Sequence, residues 1–180
     1  MGMAVILKKL LMGRMFETER GRIRTFGRMD WIMNPARAFA VMLQNIAERT
    51  DEKFLYQLGY EGGKDGAKEM IKCMGLKPRA GWVTQKAIIA MLEFLGYGRP
   101  EFLKADIRKD GHHHVILHVR DNPVIEHART LFGADSKVCH WFMGAFAAHG
   151  EMELGIKHTR LRENKCLCKG SMFCEWESKW

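Results

Sequence analysis

Four of the five cysteines fall in the last quarter of the chain, and this clustering constrains the fold more than any other feature. The segment reads VCHWFMGAFAAHG, then EMELGIKHTRLRE, then NKCLCKGSMFCEWESKW. Cys139 stands alone near its start, Cys166, Cys168 and Cys174 close it, and Glu163 precedes Cys166 by three positions. Thiolates and a carboxylate are good zinc ligands, and four of them complete a closed tetrahedron. The spacing therefore suggests that Cys139, Glu163, Cys166 and Cys174 converge on one divalent metal, best taken as a structural zinc. Four protein ligands leave no open position for an activated water, which argues against metal-assisted hydrolysis.

Gly170 lies midway between Cys166 and Cys174. A three-residue turn Lys169-Gly170-Ser171, with the glycine left-handed, would set those cysteines opposite each other. Their Cβ atoms would then be about 4.5–5.5 Å apart. A straight strand points residues three apart to opposite faces, so Glu163 and Cys166 can share an ion only if the chain bends at Asn164-Lys165. Asp135-Ser136 reads as a helix N-cap, which puts Cys139 in a first turn whose dipole favours a thiolate. The competing reading is that these thiols are small buried hydrophobes. Cys168 shares the face of Cys166 and either replaces a ligand or takes no part.

At 180 residues and 47% hydrophobic content the chain fits one globular domain, with room for a small appendage. An odd number of cysteines and thirteen methionines argue for a reducing cytoplasm rather than a disulfide framework. The apolar start MGMAVILKKLLMGRMF is interrupted by Lys8 and Lys9 with no small-residue cleavage site after it, so an amphipathic helix is expected there, not a signal peptide. No apolar run approaches the roughly 20 residues of a membrane span. The net charge of +8 is scattered apart from an excess around Arg14, Arg20, Arg22, Arg24 and Arg28. Without a nucleic-acid-reading motif this is a solvated basic face, and no specific nucleic-acid partner is expected.

The periodicities predict a short helix over 3–12, extended stretches over 22–26 and 28–33, and helices over 35–49, 51–74 and 83–95. Gly59, Gly62, Gly63 and Gly66 in the second of these imply close helix packing or a break. No G-K-[ST] follows them, so a phosphate loop is a poor reading. Strands are expected over 102–108 and 113–120, joined across Asp110-Gly111. Successive strand residues alternate faces, so His112, His113 and His114 cannot share one ion. A short helix over 123–132 and a second from 136 to about 149 follow. Met152, Leu154 and Ile156 then alternate as a strand. Residues 1–27 read as an arm used in dimerisation, and 28–180 as the body.

The order C-H-W-x-x-G, an extended pair, E-x-x-C, then K-G-x-x-x-C-E resembles the 4-vinyl reductase domain family, over about residues 115–176. The stretch FLYQLGYEGG at 54–63 is similar to that family's glycine-bearing helix. These are small-molecule-binding domains related to the sensor domains of phenol- and xylene-responsive activators, and distantly to TRAPP vesicle-tethering subunits. The resemblance implies an α+β fold with an antiparallel C-terminal sheet against a layer of helices. It also implies a zinc held by three cysteines and a glutamate, at Cys139, Glu163, Cys166 and Cys174, though the interval from Cys139 to Glu163 is one residue longer here.

The resulting expectation is a non-catalytic protein that binds a small apolar or aromatic ligand between helices and sheet. Trp141, Phe142, Phe146 and His118 are the candidate lining residues, and a homodimer is the expected assembly. An accessory factor to a tetrapyrrole vinyl reductase and an interaction scaffold resembling the tethering subunits are the alternatives. No dinucleotide fingerprint or nucleophile–base constellation points to an enzyme.

Overall fold

The computed structural model describes residues 16–19, 22–25, 29–32, 34–77, 82–108, 110–156 and 159–180. Strands β1 (Phe16–Glu19), β2 (Arg22–Thr25) and β3 (Met29–Trp31) form a small antiparallel sheet in that order. Helices α1 (Ala36–Arg49), α2 (Glu52–Cys73) and α3 (Trp82–Phe94) follow. Strands β4 (Arg99–Ile107) and β5 (His113–Arg120) lead to helices α4 (Pro123–Phe132) and α5 (Cys139–Leu154). Strands β6 (Arg162–Lys165) and β7 (Cys174–Lys179) complete a second antiparallel sheet, ordered β4-β5-β7-β6. This is the expected α+β architecture, with the main sheet drawn from the C-terminal half.

Local chemistry sets most boundaries. The Asp51 carboxylate accepts from Phe54 N at 2.6 Å and caps α2, and Asn122 Oδ1 accepts from Ile125 N at 3.0 Å and caps α4. Pro123 occupies the first turn of α4, and Gly133 ends it at φ 56°. In β5 the buried residues Val115, Leu117 and Val119 alternate with outward ones. They pair across the ladder with Ser178, Trp176 and Cys174 of β7, so one face of the sheet turns toward the helices. The Phe146 ring of α5 sits 5.7 Å from that of Trp176, which is fully buried.

Glycine decides how α2 meets α5. A Cβ on Gly59 would lie 2.0 Å from Trp141 O, one on Gly144 2.0 Å from Tyr56 O, and one on Gly63 2.7 Å from Ala145 Cα. The two backbones therefore touch, and only residues without a side chain admit that approach. Each glycine costs up to about 1 kcal/mol of helix propensity. Burial of Leu55, Ala67, Met70 and Ile71 on the same helix offsets it, and α2 runs unbroken.

Two local expectations are corrected. Met152 and Leu154 are helical, because α5 continues through Gly150 to Leu154. His149 and Glu153, one turn apart and bonded at 2.6 Å, hold that last turn, and Gly155 stops it at φ 71°. Nor are Cys166 and Cys174 opposed across a three-residue turn. The β6–β7 ladder ends at Lys165↔Glu175, and Leu167–Lys169 form a 3-10 turn closed by Gly170 at φ 90°. The ladder slips between Glu163 and Lys165. The helix expected over 3–12 lies outside the described residues. In the small sheet Ile23 of β2 pairs with Trp31 of β3.

Candidate metal centre and interior cavities

The fold brings three distant sulfurs together. Cys139 is the first residue of α5, Cys166 leaves β6, and Cys174 opens β7. Cys139 Sγ lies 3.3 Å from Cys166 Sγ and 3.8 Å from Cys174 Sγ, all three are buried, and all lie within 4.8 Å of one another. Zinc with Zn–S bonds near 2.3 Å sets its sulfurs about 3.8 Å apart, so the three fit one tetrahedral ion. The approach to Cys139 is pinned from α1. Gln44 Oε1 accepts from Lys137 N at 3.0 Å, and Ser136 Oγ accepts from Val138 N at 3.3 Å. The 3-10 turn aims Leu167 N at Cys174 Sγ, 3.4 Å away, a donor that stabilises a thiolate.

Protonation in this cluster is unequal. Hydrogen bonds from Cys139, Cys168 and Cys174 hold the Cys166 thiol far below the usual range. The same contacts, with burial, push Cys139 up. Cys174 is also raised: its bond with Cys139 favours the thiolate, and Cys166 and burial outweigh it. Burial and mutual contact thus oppose ionisation of all three thiols together. A divalent cation is the kind of group that would let all three ionise.

Glu163 lies beside this cluster, not within it. Its carboxylate accepts from the Lys169 ammonium; burial raises its pKa, and Lys169 opposes that shift. It also makes a side-chain contact with Cys166. Cys168 is buried, with its Sγ 3.7 Å from Ile125 O. Its thiol is pushed up to about 11: a bond with Cys139 lowers it, and Cys166 and burial outweigh that. Sequence reasoning left Cys168 open, and the structure anchors it to the α4 backbone.

Apolar space opens on the other side of α5. A cavity of about 190 Å³ is bounded by Trp31, Tyr97, Trp141, Phe146 and His149, with Gly62 and Gly66 of α2 leaving part of it clear. A smaller void of about 30 Å³, against the sheet, shares Leu92, Phe146 and His149 with it and adds Gln85, Glu153 and Leu117. A groove of about 490 Å³ between the small sheet, α1 and the start of α4 is lined by Trp31, Phe39, Tyr97 and Phe142. Trp141 thus borders the cavity, Phe142 the groove, and Phe146 both the cavity and the small void. His118 sits on the opposite face of the sheet. Its Nε2 meets Glu175 Oε2 at 2.7 Å, its ring lies 4.1 Å from that of Phe173, and its Nδ1 is buried with no partner among the described residues.

Sequence reasoning missed His149, Glu153 and Gln85. The signal for the first two was present, since a His and a Glu four apart share a helix face, but the expected strand over 152–156 hid it.

No protein-family model matches the sequence, and no curated protein sequence does either. The three-dimensional arrangement does have a counterpart among solved structures. The crystal structure of the phenol-responsive sensory domain of the transcription activator PoxR with phenol matches it with a TM-score of 0.71 at 18% identity. That match covers 99% of this chain and 90% of the other. At such low identity the likeness establishes the fold. Among the described residues no helix is long and apolar enough to cross a membrane.

Proposed function

We propose that this protein binds a small, largely apolar or aromatic molecule inside its fold and acts as a sensor domain, without catalysing a reaction. The observation that carries this reading is the aromatic-walled, half-open pocket of about 190 Å³, in a fold shared with a phenol-responsive sensory domain. Ligand sites are typically concave, mostly apolar and furnished with a few polar groups, and His149 supplies such a group in this wall. Trp31 and Trp141 border the cavity, so their fluorescence is the direct readout. Titration with phenol should quench it saturably and leave one ligand per chain in native mass spectra. A linear response with no bound species would overturn the reading.

The cysteine cluster holds a structural zinc through Cys139, Cys166 and Cys174, with Glu163 as fourth ligand once its carboxylate leaves Lys169. The donor chemistry and the sulfur spacing support this. The metal supplies cross-linking of α5 to the end of the sheet, not reaction chemistry. Two copies associate through the arm before residue 28, beside which Ile32 is 85% exposed. The five free thiols suit a reducing, cytoplasmic setting.

A further inference from the structure

The cavity is not lined by hydrocarbon alone. His149, near the end of α5, borders both it and the small void, and Glu153, one turn on and only 2% exposed, borders the small void. His149 Nδ1 meets Glu153 Oε1 at 2.6 Å. The two residues and the Gln85 side chain border the small void, whose remaining walls are largely apolar. A core position that needed only filling would not carry an acid, an imidazole and an amide around one void, since each costs free energy to desolvate.

We infer that His149 and Glu153 are the polar anchor of the interior ligand, and that they select uncharged, ring-sized molecules bearing a carboxamide-type group, with a hydrogen-bond acceptor and donor on neighbouring atoms. The inference rests on the ligand-binding reading above and names the chemistry of that same site. A net charge at this depth is expensive, and a pair that keeps one acidic proton between its members avoids that cost. That proton can sit on either partner. If it is on the imidazole, both ring nitrogens carry hydrogen. If it is on Glu153, the acid donates to Nδ1 and the ring hydrogen is on Nε2. In both forms His149 Nε2 is a donor and Glu153 Oε2 an acceptor. The site therefore offers one of each, on separate atoms, to a group that returns one of each. A plain hydrocarbon leaves both unanswered, and a carboxylate meets the acidic oxygen.

The small void, at about 30 Å³, holds no more than a water-sized group. The ring therefore belongs in the larger cavity, with its polar group turned toward His149 and past Phe146, which borders both spaces. Phe146 is the side chain whose rotation would join them.

The test uses three probes of one ring size on the full chain: benzamide, toluene and benzoate. Benzamide should bind at least tenfold more tightly than toluene, and benzoate no more tightly than toluene. The double variant His149→Leu, Glu153→Met should bring benzamide and toluene within threefold of each other while still binding toluene. Glu153→Gln, which keeps a donor and an acceptor, should preserve the preference. Equal binding of benzamide and toluene by the wild type, or a preference that survives the double variant, overturns the anchor and leaves the ligand-binding reading standing. Failure of every probe to bind overturns both. Should the double variant not fold, imidazole ¹⁵N NMR of the wild type decides. Benzamide, and not toluene, should shift the His149 Nε2 resonance, and an unmoved resonance at saturating benzamide overturns the proposal.

Discussion

Cys139 Sγ and Cys166 Sγ lie 3.3 Å apart across 27 positions of sequence, joining the first residue of a helix to the end of a strand. Cys174 Sγ, 3.8 Å from Cys139, ties the neighbouring strand into the same knot. Replacing Cys166 or Cys174 by serine should empty the site, as read by metal analysis of the purified protein. It should also lower the melting temperature. Structural zinc contributes on the order of 10 kcal/mol in small peptides, and less is expected in a larger domain. One metal per chain retained by both variants would contradict the assignment.

Glu163 and Cys168 compete for the fourth position, and their surroundings differ. Glu163 touches Cys166 and is held by Lys169, whereas Cys168 faces the Ile125 carbonyl. Glu163→Gln should weaken zinc affinity by tenfold or more in a chelator competition, and Cys168→Ala should leave it within threefold. The reverse order would make Cys168 the ligand.

The glycines of α2 should separate into two classes on substitution by alanine. Gly59→Ala drives a methyl into the Trp141 carbonyl, and overpacking of this kind costs about 1–3 kcal/mol. Gly62→Ala meets nothing within 4 Å and should gain up to about 1 kcal/mol of helix propensity. Urea denaturation of the two variants measures both. Equal effects would mean that the helices are not in contact there.

Alkaline stability offers a fourth check. Burial, then the adjoining Glu151, pushes the Tyr60 hydroxyl up to about 12. Below about pH 10 the phenol is neutral in both folded and unfolded chains, and its contribution is fully present. Between about 10 and 12 the unfolded chain loses the proton while the folded one keeps it, so stability falls as pH rises. Tyr60→Phe should flatten part of that decline in denaturation measured at pH 9 and 11. Tyr56 and Tyr97, also raised by burial, should retain the rest. An unchanged slope would place Tyr60 in solvent.

Removal of residues 1–27 should convert a dimer to a monomer in sedimentation. An unaltered mass would count against the arm as the joining element.

Much of this organisation was legible in the chain. The spans of α2 and α4 were legible because helical periodicity is a local signal, and their ends are set within one turn by Asp51, Asn122 and Gly133. The three sulfurs were legible as a set because so few cysteines exist to choose among. What was not legible depended on tertiary context. The alternation of Met152, Leu154 and Ile156 is as good a strand as a helix end until His149 is seen to hold Glu153. The face on which His118 stands was decided by which side of β5 the helices cover. Cavity shape follows from the touching glycines of α2 and α5, and spacing alone says only that the helices are close or broken.

Helix α5 begins at a cysteine of the knot and carries Glu153 in its last turn, about 21 Å away along the axis at 1.5 Å per residue. One end is packed among the sulfurs and the other stands against the small void beside the proposed guest's space. Such a rod can pivot about its fixed end more readily than it can slide. Displacement by a guest would therefore be read as a tilt, largest at the Glu153 end and smallest where the sulfurs clasp it.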